Sequence, residues 1–116
     1  MTTAAASGAA PGTAASAGGL REVGGGRYVL EGAVTLATVT GLRSAGLRVF
    51  ARGQGAIEVD LSGVGRADSG ALALLVDWLA WARAAHRVLT FSAPPAALLA
   101  LARLSDVEDL LLGKGA

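Results

Sequence analysis

Ser69 is the side chain best placed to carry chemistry, because Asp68-Ser69 stands where a Gly-containing run meets a long apolar segment. A catalytic serine needs a positioned base and donors for the developing oxyanion. The chain holds a single histidine, His86. It follows Ser69 by about 17 positions, near the far end of the same predicted helix, which is roughly 25 Å at the α-helical rise. The two cannot form a dyad within one chain, and no Gly-x-Ser-x-Gly elbow surrounds Ser69. No catalytic residue is assigned. Ser69 is then either a helix cap or an exposed hydroxyl open to recognition or modification. A phosphate there would meet free N–H groups and the positive end of the helix dipole. Asp68 and Asp60 would oppose it by like-charge repulsion.

Asp60 and Asp68 are the other residues that invite a chemical reading, since carboxylates at a strand end are common ligands of hard cations. Two without a third make a poor site, and capping is the expected role. Cysteine is absent, which removes disulfides, thiolate zinc sites and cysteine nucleophiles. A lone histidine makes no histidine-cluster metal site. Gly63 and Gly65 do not match the phosphate-binding loop with its Lys-Ser/Thr. The expectation is no metal and no cofactor.

The elements that must position Ser69 are legible around it. Ala56-Ile57-Glu58-Val59-Asp60-Leu61 alternates with period two and predicts a strand with Ile57, Val59 and Leu61 on one face. That strand is expected to end near Asp60-Leu61, with Ser62-Gly63-Val64-Gly65 as a turn. A helix opens at Asp68-Ser69, either residue serving as N-cap. On a helical wheel Leu72, Leu75, Val76, Leu79 and Ala82 form one stripe, and Leu74, Trp78, Trp81 and Ala85 an adjacent one. Asp77 lies on the narrow remaining side with Ala73, Ala80 and Ala84. Such a face is roughly twice the width an ordinary surface helix needs. One stripe meets the sheet; the other meets a neighbouring helix or a partner. Trp78 and Trp81 are thus either core or interface, and tryptophan is favoured in interfaces. His86 reads as a dipole partner or a solvated residue, and Arg83, Arg87 and Arg103 as solvent-facing.

Further strands are expected at Tyr28–Glu31 and beyond, after Gly24-Gly25-Gly26, and at Val88–Phe91. Helices are expected from about Thr35 to Arg52, weakened by Gly41 and Gly46, and after Pro94-Pro95, with Leu98, Leu101 and Leu104 at helical spacing. Strands alternating with helices make an α/β domain with some parallel pairing. With 116 residues there is room for one domain only. The chain is 53% hydrophobic and 16% charged, and its net charge of +1 gives no field that calls for nucleic acid or an acidic membrane surface. Residues 1–22 are dominated by Ala, Gly, Ser and Thr and read as a flexible tail, residues 23–113 as the folded domain, and 114–116 as a short C-terminal tail. Ala15-Ser16-Ala17 looks like a signal cleavage site, yet no basic residue and no apolar run precede it. The longest dense apolar run, Ala71–Val76, is far short of the roughly 20 residues that span a bilayer. A cytoplasmic protein is expected.

At Val59-Asp60-Leu61-Ser62-Gly63-Val64, then Ala67-Asp68-Ser69 and a Leu-rich helix, the sequence resembles a STAS domain. The resemblance runs from about Arg27 to Leu112. It implies a mixed β-sheet of four to five strands with helices packed largely on one side. It also implies a non-catalytic module that docks on another protein, with a Ser or Thr at the start of the central helix, which is Ser69 here. Asp68-Ser69-Gly70-Ala71-Leu72-Ala73-Leu74-Leu75 is similar to the MlaB branch of the family, as are Leu99–Leu104 and Val107–Leu111. One departure stands out: the family has a small residue and then Gly after the Ser, whereas Gly70 comes first here and Ala71 second. The MlaB branch implies docking on the ATPase subunit of an Mla-type phospholipid ABC transporter, to support its assembly or activity. The surface would include Ser69, Asp68, Gly70, Leu74, Trp78 and Trp81 and the Pro94–Ser105 helix, with contact to the membrane only through partners. The rival branch implies an anti-sigma-factor antagonist whose Ser69 is phosphorylated by an anti-sigma-factor kinase. A wide apolar face on the central helix favours a lasting complex over a reversible switch, because obligate interfaces are more hydrophobic.

Overall fold

A computed structural model describes residues 19–111. The chain opens with a hairpin of β1 (Gly19–Gly24) and β2 (Arg27–Val34), turned at Gly25 and Gly26. Both turn glycines have positive φ, 62° and 81°, the backbone that twists a two-residue hairpin turn to match its strands. Residues 19–22, expected in the tail, pair with β2 instead: Leu20 lies opposite Leu30 and Arg21 opposite Val29. The alternation they add is too short to recognise without its partner strand. The rest of the expected N-terminal tail, and residues 114–116, lie outside the described residues.

From β2 the chain enters α1 (Val39–Arg52), crosses to β3 (Ile57–Ala67), then α2 (Ser69–Ala84), β4 (Leu89–Ser92), α3 (Ala96–Leu104) and a final turn of helix, α4 (Glu108–Leu111). The sheet order is β1-β2-β3-β4, with β1 antiparallel to β2 and the other two pairings parallel. This is a mixed four-stranded α/β sheet, the architecture the resemblance implied. Tyr28, Leu30 and Val34 of β2, Ile57, Val59 and Leu61 of β3, and Leu89 of β4 are buried. Alternate residues turn to the other face, where Arg21 pairs with Glu31 at 3.3 Å and Arg27 with Glu58 at 3.6 Å. One face carries the helices; the other is polar.

Two elements differ from expectation in ways that bear on the site. The helix expected from Thr35 starts at Val39, because Thr35–Thr38 form a hydrogen-bonded turn. The strand expected to end at Leu61 continues to Ala67, and Ser62-Gly63-Val64-Gly65 is not a turn. Val29 pairs with Asp60 and Glu31 with Gly63, then Gly32 with Val64 and Ala33 with Arg66. At each step β3 has one residue more than β2, so two bulges absorb the glycine-bearing run while pairing goes on. The bulged strand delivers Ala67 beside Val34 and so places Asp68 next to the turn after β2.

Tyr28 sits in the core against Phe50, ring centroids 5.0 Å apart and nearly perpendicular. Burial raises its phenol pKa above the ordinary value, the Glu22 carboxylate adds to this, and Arg87 and Arg52 oppose it. A raised folded-state value means that the protonated phenol's contribution is fully present below the unfolded value and is lost as pH rises through the folded value. Tyr28 is the sole tyrosine, so phenolate absorbance reads it without ambiguity. A titration midpoint above that of the unfolded chain is the expected result, with stability falling across the same alkaline window. A midpoint equal to the unfolded one would contradict the burial.

Candidate functional site

The amino end of α2 is built on Asp68. Its backbone is extended, with φ −133° and ψ −165°, and its side chain accepts the Gly70 N–H at 2.7 Å. Asp68 is therefore the N-cap and Ser69 the first helical residue. The same carboxylate reaches across to the turn after β2, where the Leu36 N–H donates to Oδ1 at 3.1 Å and Oδ2 at 3.2 Å. With both oxygens engaged by backbone amides, Asp68 ties two loops together. Ser69 is exposed beside it. Gly70 is buried under the Leu36 turn, and a Cβ at that position would lie 2.7 Å from the Leu36 nitrogen. The Gly70-Ala71 order of this chain, the reverse of the one expected from the family, thus has a local reason: the glycine is needed where the two loops touch.

Asp60 stands apart from this cluster, on the polar face of the sheet. Its oxygen accepts the Ser62 N–H at 2.8 Å. That bond and one from the Ser62 hydroxyl hold its carboxyl below the ordinary carboxylate value; slight desolvation opposes them, and Arg27 adds a smaller lowering effect. Among the described residues no three His, Asp or Glu side chains gather as metal ligands. His86 lies past the opposite end of α2 from Ser69, in the left-handed conformation with φ 57°. Its N–H bonds the Arg83 carbonyl and the Arg87 N–H the Ala82 carbonyl, which closes the helix in a Schellman arrangement.

The other residues assigned to a partner surface divide. Leu74 and Trp78 are 1% and 0% exposed and present nothing to a partner. Trp78 is core because α1 packs on it through Phe50 and Gly46. The Trp78 ring packs edge-on to Phe50 at 5.2 Å and fills the space left by Gly46, where a Cβ would come within 2.5 Å of it. Trp81 is half-buried against Phe50 at 5.9 Å, with the Arg87 guanidinium 5.6 Å above its ring. Arg87 is not solvent-facing as expected: Nε donates to the Gly55 carbonyl and Nη1 to the Phe50 carbonyl, both at 2.8 Å. It closes the carboxyl end of α1, a role that no spacing in the sequence displays. Arg103 pairs with Glu108 at 2.8 Å. Leu104, expected on the apolar face of α3, is 86% exposed.

Two contributors to the seam were not found by sequence reasoning. Leu36, 68% exposed, falls in the first turn of the helix expected from Thr35, and the role of Asp68 in holding its turn depends on the bulges of β3. A polar hollow of about 320 Å³ is lined by Arg103, Asp106, Glu108 and Asp109 at the α3–α4 corner. No helix among the described residues is long and apolar enough to cross a membrane.

Residues 24–113 match the family model described as "Mlab, STAS domain". No curated protein matches the chain. The matched span takes in β2 through α4 and the whole Asp68–Ser69 seam. STAS domains are non-catalytic regulatory modules that act by docking. With its mixed sheet, its capped central helix and a match over most of its length, the chain belongs to the MlaB-type STAS domain family.

Proposed function

We propose that this protein docks through the amino end of α2 on the ATPase subunit of an Mla-type phospholipid ABC transporter, and supports that subunit's assembly or activity from the cytoplasm. The observation that carries the reading is the seam itself: an exposed Ser69 at the first position of a rigidly capped helix, in a chain whose residues 24–113 match the MlaB family. ATP hydrolysis and lipid handling belong to other subunits, and the domain meets the membrane only through them. The apolar width of α2 does not argue for a lasting complex, because Leu74 and Trp78 of the second stripe are buried within the domain. The preference for a transporter partner rests on the family branch. Affinity purification from the native cell tests it. Co-isolation of an ABC ATPase with a permease is expected, and a sigma/anti-sigma pair in their place would overturn it.

One observation favours a second reading. The Ser69 hydroxyl is exposed at a helix N-terminus whose dipole favours an added phosphate, against the like charge of the Asp68 carboxylate that already takes the Gly70 N–H. An anti-sigma-factor antagonist switched by a kinase at Ser69 would use that feature directly. Mass spectrometry of the chain from its own cell, together with the identity of the co-purified proteins, separates the two.

A further inference from the structure

Residues 88–102 carry no charged side chain, in a chain that is 16% charged. They form β4, the Pro94-Pro95 link and most of α3. The fold puts this run on an outer flank. β4 is the last strand of the sheet and pairs only with β3 among the described residues. α1 packs on α2 and β1, and α3 on α2 and α4, so α3 stands on the β4 side. Thr90, Ala93, Ala97 and Ala100 are exposed there, and Val88 and Leu104, at the two ends of the run, are 65% and 86% exposed. An outermost helix ordinarily turns charges to water. The opposite edge of the sheet is built differently. β1 carries exposed Arg21 and Glu22 and a register shift between Glu22 and Gly24, the charges and irregularity that keep an edge strand from pairing. β4 has neither.

The free edge of β4 has a definite pattern. The Val88 carbonyl accepts the Ile57 N–H at 2.8 Å, so Val88, Thr90 and Ser92 turn their backbone groups to β3. The N–H and C=O groups of Leu89 and Phe91 point the other way, and they have no partner among the described residues. We infer that β4 pairs antiparallel with β4 of a second copy of this chain, about a two-fold axis at Thr90, with α3 of the two copies side by side over the joint. Leu89 then faces Phe91 of the second copy on each side of the axis, and every outward group of both residues is satisfied. Charge argues for a copy as the occupant. In this register Val88 faces Ser92 and Arg87 faces Ala93, so no like charges are directly opposed, an arrangement that would destabilise the pairing. Two identical patches form an isologous interface that closes at two copies. The short strand pair buries little, and α3 adds the apolar area on which lasting dimers rely. In this arrangement α3, which the resemblance placed in the surface for an ATPase subunit, meets a second copy instead. The amino ends of the two α2 helices point to opposite ends of the joined sheet, so the dimer stands independently of the docking partner proposed above.

The test uses the full chain, which has no cysteine, so one introduced thiol reports on one position. Thr90 meets its own copy as a non-hydrogen-bonded pair with Cα atoms about 4.5 Å apart, within the span of a disulfide. Thr90→Cys is expected to oxidise to a covalent dimer at least about tenfold faster than Thr40→Cys, which is exposed on the far flank. Val88→Cys and Ser92→Cys are expected to cross-link to each other about tenfold faster than either does alone. Sedimentation of the wild type is expected to show a concentration-dependent dimer. Thr90→Lys, with thermal melting as a fold control, weakens it about fivefold or more by opposing two like charges. The Leu89 and Phe91 amides are expected to exchange fast in the monomer and about tenfold slower as the dimer forms. A wild type that stays monomeric at every concentration overturns the inference. So does a dimer in which Thr90→Cys cross-links no faster than Thr40→Cys, or one that Thr90→Lys leaves intact. Protection of the Leu89 and Phe91 amides in the monomer overturns it as well, because the chain's own remaining residues then cover the edge.

Discussion

Trp78→Ala lowers the unfolding free energy by about 3–5 kcal/mol, the usual cost of emptying a buried tryptophan site. The ring is fully buried and is gripped between Phe50 and Gly46, so little around it is free to collapse into the space. Such a loss is a large part of the roughly 5–15 kcal/mol that holds a domain together. Trp78→Phe costs less than Ala, for two reasons. It keeps an aromatic partner for Phe50, and it removes an indole Nε1–H that is buried without a hydrogen-bond partner, a state that costs about 1–3 kcal/mol.

The same contact predicts a reversal of sign. Gly46→Ala drives a methyl group into the Trp78 ring and destabilises by about 1–3 kcal/mol as overpacking, outweighing the gain of up to about 1 kcal/mol from replacing a mid-helix glycine. In a Trp78→Ala background the clash is gone, and Gly46→Ala becomes stabilising. Chemical denaturation of the four variants measures the coupling. Additive effects would mean that α1 and α2 do not meet at this pair.

Ser69→Glu abolishes or greatly weakens partner capture and leaves the isolated domain folded. A carboxylate at the first position of a helix is favourable, by about 0.3–1 kcal/mol, so melting should stay close to wild type. At the seam the same charge stands next to Asp68 and the Leu36 turn. A like or unpaired charge pressed into an interface costs several kcal/mol, and each 1.4 kcal/mol is about tenfold in affinity. A loss of about a hundredfold is therefore expected in a titration against the purified partner, with Ser69→Ala near wild type. If Ser69→Glu binds as the wild type does, the amino end of α2 is not the interface.

How much of this was legible in the sequence varies with the range of the interaction. The Asp68 cap, the alternation of Ile57, Val59 and Leu61, and the two apolar stripes of α2 are local patterns, and each reappears in the fold. The run Ser62–Gly65 misleads because bulged strand and turn share the same glycines; the decision belongs to β2, which keeps pairing past each extra residue. Arg87 misleads for a similar reason: its carbonyl partners at Phe50 and Gly55 are distant in sequence and carry no side-chain signal.

The sequence by itself determined that this is one small α/β domain with a capped central helix, that Ser69 has no base, and that the family motif surrounds it. Periodicity, capping chemistry and composition act within a few residues and can be read along the chain. Only the tertiary structure decided which apolar stripe of α2 is left for a partner. Little of either is: Leu72, Leu75 and Ala82 of one stripe and Leu74 and Trp78 of the other are buried, Trp78 in the space left by the missing side chain of Gly46, while Trp81 is half-buried and only Ala85 is exposed. What remains outward is a hydroxyl and a leucine that a carboxylate between two loops brings side by side. That juxtaposition depends on the docking of separate elements, which no single stretch of the chain encodes.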